Sequence, residues 1–219
     1  MIQATGSWFH ENDGISYSRN VATWQGDIVL QRFCTAPFIE SLKVDSGLCA
    51  FARLPKREHE LLAHVARQPE CMLTIAYNKK DEIVGELTLA PVDAWWHTVR
   101  QRVCMYEIGL EVSHHWRRLG LARQLLSFAL DLTRLEDCIL LGMGLVWHWD
   151  TARTGVPPLL YRKLIAQTLA PYGFEEYLTM EPNIASEPAN ILLARIGRRV
   201  DVTNVNEFIH CSLRAERLL

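Results

Sequence analysis

One short stretch of the chain combines residue types that can bind a phosphorylated ligand. It reads Arg117-Arg-Leu-Gly120-Leu-Ala122 and fits the pattern [Gln/Arg]-x-x-Gly-x-[Gly/Ala], which is a weak signal by itself. The context strengthens it, because the stretch joins a predicted buried strand, Met105–Val112, to a predicted amphipathic helix from Gly120 to Leu132. At such a junction the loop amides and the positive end of the helix converge on one point, which suits a pyrophosphate. The alternative is an ordinary strand–helix connection with solvated arginines.

Each part of this loop has a chemical reason to be there. Gly120 permits close approach of the backbone, and Ala122 leaves the first helical turn uncrowded. Arg117 or Arg118 adds positive charge next to the helix end. The predicted pyrophosphate contacts are therefore Arg117, Arg118, Leu119, Gly120, Leu121 and Ala122.

The elements that must position this loop follow from hydrophobic periodicity and turn residues. Their order is strands, a hairpin, then alternating strands and helices, which predicts an α/β fold: a mixed sheet with helices on both faces. The predicted strands are Asp27–Phe33, Met72–Tyr77, Ile83–Ala90, Met105–Val112, Cys138–Trp147 and Gly173–Leu178. The predicted helices are Pro55–Arg67, Gly120–Leu132, Pro158–Leu169, Ala189–Ile196 and Val205–Leu213.

Composition excludes several classes of protein. The chain has 219 residues, of which 49% are hydrophobic and 22% charged, as in ordinary globular domains. Its longest apolar run, Cys138–Trp147, falls well short of the about 20 residues that cross a bilayer. A net charge of −2 does not favour nucleic-acid binding. The start of the chain has no signal-peptide pattern and the six cysteines lack a CxxC pair, so we expect reduced thiols and a cytoplasmic location.

Metal and dinucleotide motifs are not supported. His59 and His64 are five residues apart, whereas two zinc ligands on one helix face must be four apart. Gly142-x-Gly144 lies inside a predicted strand and not at a strand–helix turn, so it is no dinucleotide fingerprint. We therefore predict no metal site.

The strand–loop–helix unit around Gly120 resembles motif A of the GNAT acyltransferases, which bind acetyl-CoA at that turn. Four further blocks, in order, resemble the acetoin-utilization branch of that superfamily, whose members are bacterial protein acetyltransferases that modify AMP-forming acetyl-CoA synthetase. The blocks are Phe51–Leu62, Trp147–Asp150, Tyr161–Lys163 and Glu187–Gly197. The resemblance covers roughly Leu48 to Val200.

This resemblance implies a GNAT-like sheet, acetyl-CoA as cosubstrate and a protein lysine of acetyl-CoA synthetase as acceptor, with inactivation of the synthetase as the result. It also implies a GNAT core over 51–200, with an N-terminal strand-rich extension at 1–50 and a C-terminal helical tail at 201–219. Two alternatives stay open. One is a small-molecule amine N-acetyltransferase on the same fold. The other is a regulatory protein that inhibits the synthetase by forming a complex.

Acetyl transfer to lysine needs a proton acceptor, because a free lysine has a pKa near 10.4. Glu111, just before the loop, is the first candidate for this base, and Glu107, four residues earlier on the same strand face, is the reserve. The alternative role for Glu111 is a carboxylate in a salt bridge. Backbone N–H groups at Leu110 and Val112 are predicted to polarise the thioester carbonyl, which adds them to the acetyl-CoA contacts.

Two further side chains receive predicted roles. Strand alternation places His148 and Asp150 on one face, where a His–Asp pair could relay protons or hold the incoming lysine. Many GNAT proteins carry a tyrosine that protonates the departing thiolate, and Tyr161 is the candidate here. A packed aromatic strand end and a core tyrosine are the structural alternatives. No cysteine is placed as an acyl carrier, so direct transfer in a ternary complex is expected.

Overall fold

The computed structural model of the protein describes residues 17–48, 51 and 54–214. The first sixteen residues of the predicted N-terminal extension and the last five of the predicted tail lie outside the described residues. The chain divides into two compact units. The N-terminal unit holds the described residues up to Ala90 together with Gly109–Asp131, and the C-terminal unit holds Pro91–Ile108 and the chain from Leu132 onward.

The described residues form nine strands and eight α-helices. The strands are β1 (Ser18–Val21), β2 (Ile28–Arg32), β3 (Lys43–Val44), β4 (Met72–Asn78), β5 (Glu82–Pro91), β6 (Cys104–Val112), β7 (Cys138–Gly144), β8 (Glu175–Tyr177) and β9 (Ile191–Ile196). The helices are α1 (Ala36–Ser41), α2 (Pro55–Val65), α3 (His97–Arg100), α4 (Leu121–Ala129), α5 (Thr151–Thr154), α6 (Pro158–Leu169), α7 (Pro182–Ala185) and α8 (Val202–Ser212).

The described strands form one mixed sheet, as predicted. Its nine strands run in the order β1-β2-β4-β5-β6-β7-β9-β8, and β3 pairs with β5. β6 and β7 pair in parallel from Cys104–Cys138 to Glu107–Leu141, while the other described pairs on that path are antiparallel. This parallel pair consists of the strand before the loop and the strand after its helix.

Within the N-terminal unit, helices cover both faces of the sheet. A Cβ added to Gly85 of β5 would lie 3.1 Å from Leu125, so this face packs against α4. The next residue, Glu86, points to the opposite face and lies beside Glu58 of α2. α2 begins at Pro55, whose ring favours the first helical turn and holds Leu54 in an extended conformation. The predicted arrangement of helices on both faces is confirmed here.

Each unit has its own hydrophobic core. In the N-terminal unit, Leu62 and Ala63 of α2 pack with Leu73, Ile75 and Ile83 of the sheet. The C-terminal unit buries a cluster in which the rings of Trp96 and Phe208 stack with centroids 5.4 Å apart. Burial of such large side chains gives about 1.5–3 kcal/mol each, so these clusters anchor the elements that carry the polar residues below.

Two predicted elements are wrong. Residues Ala189–Ile196 were expected to form a helix, but Ile191–Ile196 is strand β9, paired on both sides. A short apolar run has no periodicity that distinguishes a buried strand from a helix. Its pairing with neighbouring strands therefore decides which of the two forms. The strand predicted over Cys138–Trp147 ends at Gly144, because the Asn190 side chain accepts the Val146 N–H at 2.8 Å in place of a neighbouring strand.

The remaining predicted elements are present with small differences at their ends. The helix predicted over Pro158–Leu169 has those bounds. The helix predicted from Gly120 to Leu132 is shorter and ends at Ala129. Across residues 17–48, 51 and 54–214, none of the helices has the length and apolar character needed to span a bilayer.

Candidate active site

The loop between β6 and α4 has an unusual backbone conformation. His114–Trp116 forms a short 3₁₀ turn, after which Arg118 adopts a left-handed conformation with φ of 64°. Gly120 is also left-handed, with φ of 75° and ψ of 7°, and it is the last residue before α4. Left-handed φ is uncommon for arginine, and residues held this way concentrate at ligand-binding loops. The loop therefore has the strain expected of a binding segment.

The N-terminus of α4 is open to a ligand. Gly120 contributes no side chain to cap the helix, and a Cβ at this position would meet no atom within 4 Å. The first N–H groups of a helix have no partner within the helix, so they suit an anion when no side chain caps them. Gly120 is exposed, and Leu121 beneath it is buried and fixes the helix on the sheet. This geometry fits the pyrophosphate of acetyl-CoA.

A carboxylate ties the start of this loop to the segment after β3. Oδ1 of Asp45 accepts hydrogen bonds from the Gly47 N–H at 2.8 Å and from the Ser113 hydroxyl at 2.5 Å. Nδ1 of His115 lies 2.9 Å from the same oxygen. Burial acts to raise the pKa of Asp45, but the hydrogen bonds outweigh it and the net pKa is lowered. We call these residues, Asp45, Gly47, Ser113 and His115, the Asp45 clasp.

Glu111 lies in a cluster of three carboxyl groups within the N-terminal unit. Glu58 of α2, Glu86 of β5 and Glu111 of β6 each have one oxygen within 4.8 Å of the others. Their exposed fractions are 0%, 1% and 5%. Burial, then the charges of Glu58 and Glu111, raises the pKa of Glu86 well above its ordinary value. We call Glu58, Glu86 and Glu111 the carboxyl cluster.

Glu107 has a different environment, in the C-terminal unit. It is partly exposed, whereas Glu111 is buried. Burial, followed by the charges of Asp93 and Glu181, raises the pKa of Glu107 to about 7. A general base works best when its pKa lies near the working pH, so this group has the electrostatics of a proton acceptor.

The predicted strand face shared by His148 and Asp150 does not exist. β7 has already ended, Val146–His148 forms a 3₁₀ turn, and strand alternation does not apply there. Nε of Arg153 lies 3.6 Å from Oδ1 of Asp150, and the His148 ring packs edge-on against Trp147. Strand alternation therefore gives no basis for placing His148 and Asp150 on one face, because the backbone turns before them.

Tyr161 is held by an aromatic stack. It lies in the first turn of α6, and its ring is parallel to that of Trp149, with centroids 5.3 Å apart and an interplanar angle of 12°. The ring is partly exposed. The stack orients the phenol while leaving part of the side chain accessible, which suits a proton donor.

The structure places the predicted site residues in both units. The N-terminal unit brings together Glu111, the strand residues Leu110 and Val112, and the loop residues Arg117–Ala122. The C-terminal unit holds Glu107, His148 and Tyr161. The predicted pyrophosphate contacts and the first candidate base, Glu111, therefore belong to the same unit.

Three residues at the site were not predicted from the sequence. Glu86 is a carboxylate between buried apolar residues of β5, and Glu58 is four residues before Leu62 on the buried face of α2. A charged residue at a position that the hydrophobic pattern predicts to be buried can be recognised from the sequence as a candidate site residue. Burial of a charge is costly unless the charge is paired or the group is neutralised. Asp45 gives no such signal, since its partners at Ser113 and His115 are distant in the chain.

Comparison with known proteins gives a consistent result. The model of the acetyltransferase (GNAT) family matches residues 38–144. The acetoin utilization protein AcuA of Bacillus subtilis (strain 168) is 28% identical over 196 residues, which cover 88% of this chain and 91% of that protein. AcuA of Bacillus licheniformis is 26% identical over the same share of each chain.

Solved structures give the same assignment as the sequence comparisons. The crystal structure of an acetoin utilization protein from Exiguobacterium sibiricum 255-15 is 30% identical, with a TM-score of 0.83, and covers 90% of this chain and 93% of that one. The GNAT domain of S. lividans PAT has a TM-score of 0.52 at 12% identity, covering 81% of this chain and 96% of that one, which shows the shared fold alone. The chain therefore belongs to the acetyltransferase (GNAT) family and is related over nearly its whole length to the acetoin utilization proteins.

Proposed function

We propose that this GNAT-family acetyltransferase transfers acetyl from acetyl-CoA to a lysine of AMP-forming acetyl-CoA synthetase in the cytoplasm and thereby inactivates the synthetase. The observation that carries the proposal is the uncapped N-terminus of α4 behind Gly120, which fits a pyrophosphate. The acceptor rests on the resemblance of the blocks at Phe51–Leu62, Trp147–Asp150, Tyr161–Lys163 and Glu187–Gly197 to the acetoin-utilization branch.

The loop residues bind and orient the cosubstrate in this proposal. N–H groups at the start of α4 and the charge of Arg117 or Arg118 hold the pyrophosphate. Leu110 and Val112, the residues on either side of Glu111 in β6, offer backbone N–H groups to the thioester oxygen. Acetyl-CoA supplies the acetyl group as a thioester when bound.

Proton transfers complete the mechanism. Glu111 takes one proton from the acceptor ammonium, which makes the amine nucleophilic. Tyr161 gives a proton to the departing sulfur, and His148 holds the incoming lysine. Glu107 is a second candidate for the base, favoured by its partial exposure and by its pKa of about 7.

The test is incubation of the protein with isotope-labelled acetyl-CoA and purified AMP-forming acetyl-CoA synthetase, followed by peptide mass mapping. We expect label on one or a few lysines of the synthetase and loss of synthetase activity in step with labelling. A parallel panel of small amines tests the alternative acceptor class. Rapid labelling of an amine with none of the synthetase would replace the proposed acceptor by a small molecule.

A further inference from the structure

The carboxyl cluster holds more acid groups than one proton acceptor requires. Glu58, Glu86 and Glu111 come from α2, β5 and β6, so three separate elements direct carboxyl groups to one point. None of the three is more than 5% exposed. Like charges this close, away from water, cannot all be ionised, so the cluster must retain protons at neutral pH.

The surroundings of Glu86 indicate which group holds a proton. Its neighbour across the β4–β5 ladder is Ile75, which is uncharged and buried. The charged groups that act on Glu86 are Glu58 from α2 and Glu111 from β6, and both oppose its ionisation, as does its burial. Its Oε2 accepts no hydrogen bond from the described residues. A carboxylate in such a place is unfavourable, whereas a neutral carboxylic acid is tolerated.

We propose that Glu86 is a positioning residue that keeps its proton at neutral pH, so that Glu111 stays ionised and accepts the amine proton. The second half of this statement rests on the proposed function. In the reaction, an N–H bond of the acceptor ammonium breaks and an O–H bond forms on Glu111, which later releases that proton to water. Glu86 neither gains nor loses a proton. Its neutrality keeps the number of negative charges in the cluster low enough for Glu111 to remain a carboxylate.

Infrared spectroscopy tests the protonation state without any enzymatic assay, because the C=O stretch of a protonated carboxyl group is separate from carboxylate bands. We expect the wild type to show such a band at neutral pH and Glu86→Gln to lose part of it, while the part contributed by Glu107, whose pKa is about 7, remains. Glu60→Gln is the matched control, since Glu60 is an exposed glutamate of α2. A wild type without the band, or a Glu86→Gln variant that keeps it unchanged, overturns the proposal.

Glu58→Gln provides a second measurement that does not depend on the folding of the Glu86 variant. It removes the neighbouring charge with the largest effect on Glu86 after burial, so the band of Glu86 should titrate at a lower pH than in the wild type. An unchanged titration midpoint contradicts the coupling on which the proposal depends.

Kinetics then separate a positioning role from a chemical one. The amide of Glu86→Gln reproduces an uncharged side chain, so kcat at neutral pH should stay within about threefold of the wild type, with an unchanged KM for acetyl-CoA. A loss of about 100-fold or more in kcat alone would make Glu86 itself the proton acceptor and overturn the assignment. If the wild type acetylates no acceptor, the proposed function fails, and the infrared band still decides whether Glu86 is protonated.

Addition of divalent cations tests the alternative that the carboxyl cluster is a metal site. Three carboxylates could also bind a metal ion, in which case they would all be ionised. We expect MgCl₂, CaCl₂ or ZnCl₂, added singly to the wild type, to leave the Tm and the infrared band unchanged. A rise in Tm together with loss of the band would identify the cluster as a cation site.

Discussion

At the scale of single residues, the two glutamates of β6 have different physical environments although they lie on one strand. Glu111 is buried among other carboxyl groups, whereas Glu107 is partly exposed and has a pKa of about 7. Burial protects a proton acceptor from competing water but hinders its approach to substrate. Substitution of each glutamate by glutamine separates the two, because the amide keeps the shape and cannot take the proton.

We expect Glu111→Gln to lower kcat by about 10²–10⁴-fold, with acetyl-CoA affinity nearly unchanged, because the loop amides that bind it remain. The defect should shrink as the pH rises, since more of the acceptor lysine is then neutral. Steady-state kinetics against pH and calorimetry with acetyl-CoA check this, with Glu60→Gln as the control. Normal turnover at neutral pH would move the base to His148 or Glu107, and loss of folding would make Glu111 structural.

Glu107 makes the stability of the protein depend on pH. Its pKa is raised from 4.5 to about 7, so the folded state holds this proton more tightly than the unfolded state. The resulting stabilisation is complete below pH 4.5 and is lost as the pH rises to about 7. Over this range Glu107→Gln should gain up to about 3 kcal/mol in unfolding free energy relative to the wild type.

Urea unfolding at several pH values measures this difference. Glu175→Gln, at an exposed glutamate of β8 in the same unit, is the control and should follow the wild type. If the unfolding free energies of the wild type and Glu107→Gln changed with pH in the same way, this would contradict the raised pKa of Glu107.

At the scale of elements, the N-terminus of α4 is the proposed pyrophosphate site, and Gly120→Glu tests it. The substitution puts a negative side chain where the anion belongs, so we expect acetyl-CoA affinity to fall by about 100-fold or more. Gly155→Glu is a matched control, because Gly155 has φ of 66° and ψ of 7° and its added Cβ also meets nothing within 4 Å. Both variants should lose similar Tm, and only Gly120→Glu should lose affinity by calorimetry. Equal affinities would mean that the pyrophosphate binds elsewhere.

The Asp45 clasp holds the start of the same loop. Asp45→Asn keeps an acceptor oxygen but removes the charge that strengthens the bonds from Ser113 and His115. We expect KM for acetyl-CoA to rise by about tenfold, kcat to change little, and stability to fall by about 1–2 kcal/mol. Asp27→Asn, at an exposed aspartate paired with Lys79, is the control and should change neither the KM for acetyl-CoA nor the stability. A fall in kcat with KM unchanged would show that the clasp acts on the chemical step and not on the loop.

At the scale of the whole molecule, the proposed inhibition of acetyl-CoA synthetase is expected to require acetyl transfer. The protein and AMP-forming acetyl-CoA synthetase can be mixed in equal amounts without CoA, so that the synthetase runs only its adenylation half-reaction and no acetyl-CoA is present. We expect no inhibition under these conditions, and inhibition once acetyl-CoA is added to the wild type. Inhibition without the donor, or by Glu111→Gln to the same extent as by the wild type, would support regulation by complex formation.

The sequence by itself determined the local features of this protein. The loop Arg117–Ala122, the strand before it and the helix after it were predictable, because hydrophobic periodicity and a glycine at the turn act over a few residues. The hairpin of β4 and β5 and the helix Pro158–Leu169 were predictable for the same reason. These features, with the blocks that resemble the acetoin-utilization branch, were enough to identify the family.

Tertiary structure alone decided which distant residues meet. Ile191–Ile196 became a strand because β7 and β8 lie on either side of it, and β7 ended early because Asn190 took the N–H of Val146. The carboxyl cluster joins Glu58, Glu86 and Glu111 across three elements, and the Asp45 clasp joins residues about seventy positions apart. Such contacts depend on the packing of whole elements, and no local pattern in the chain encodes them.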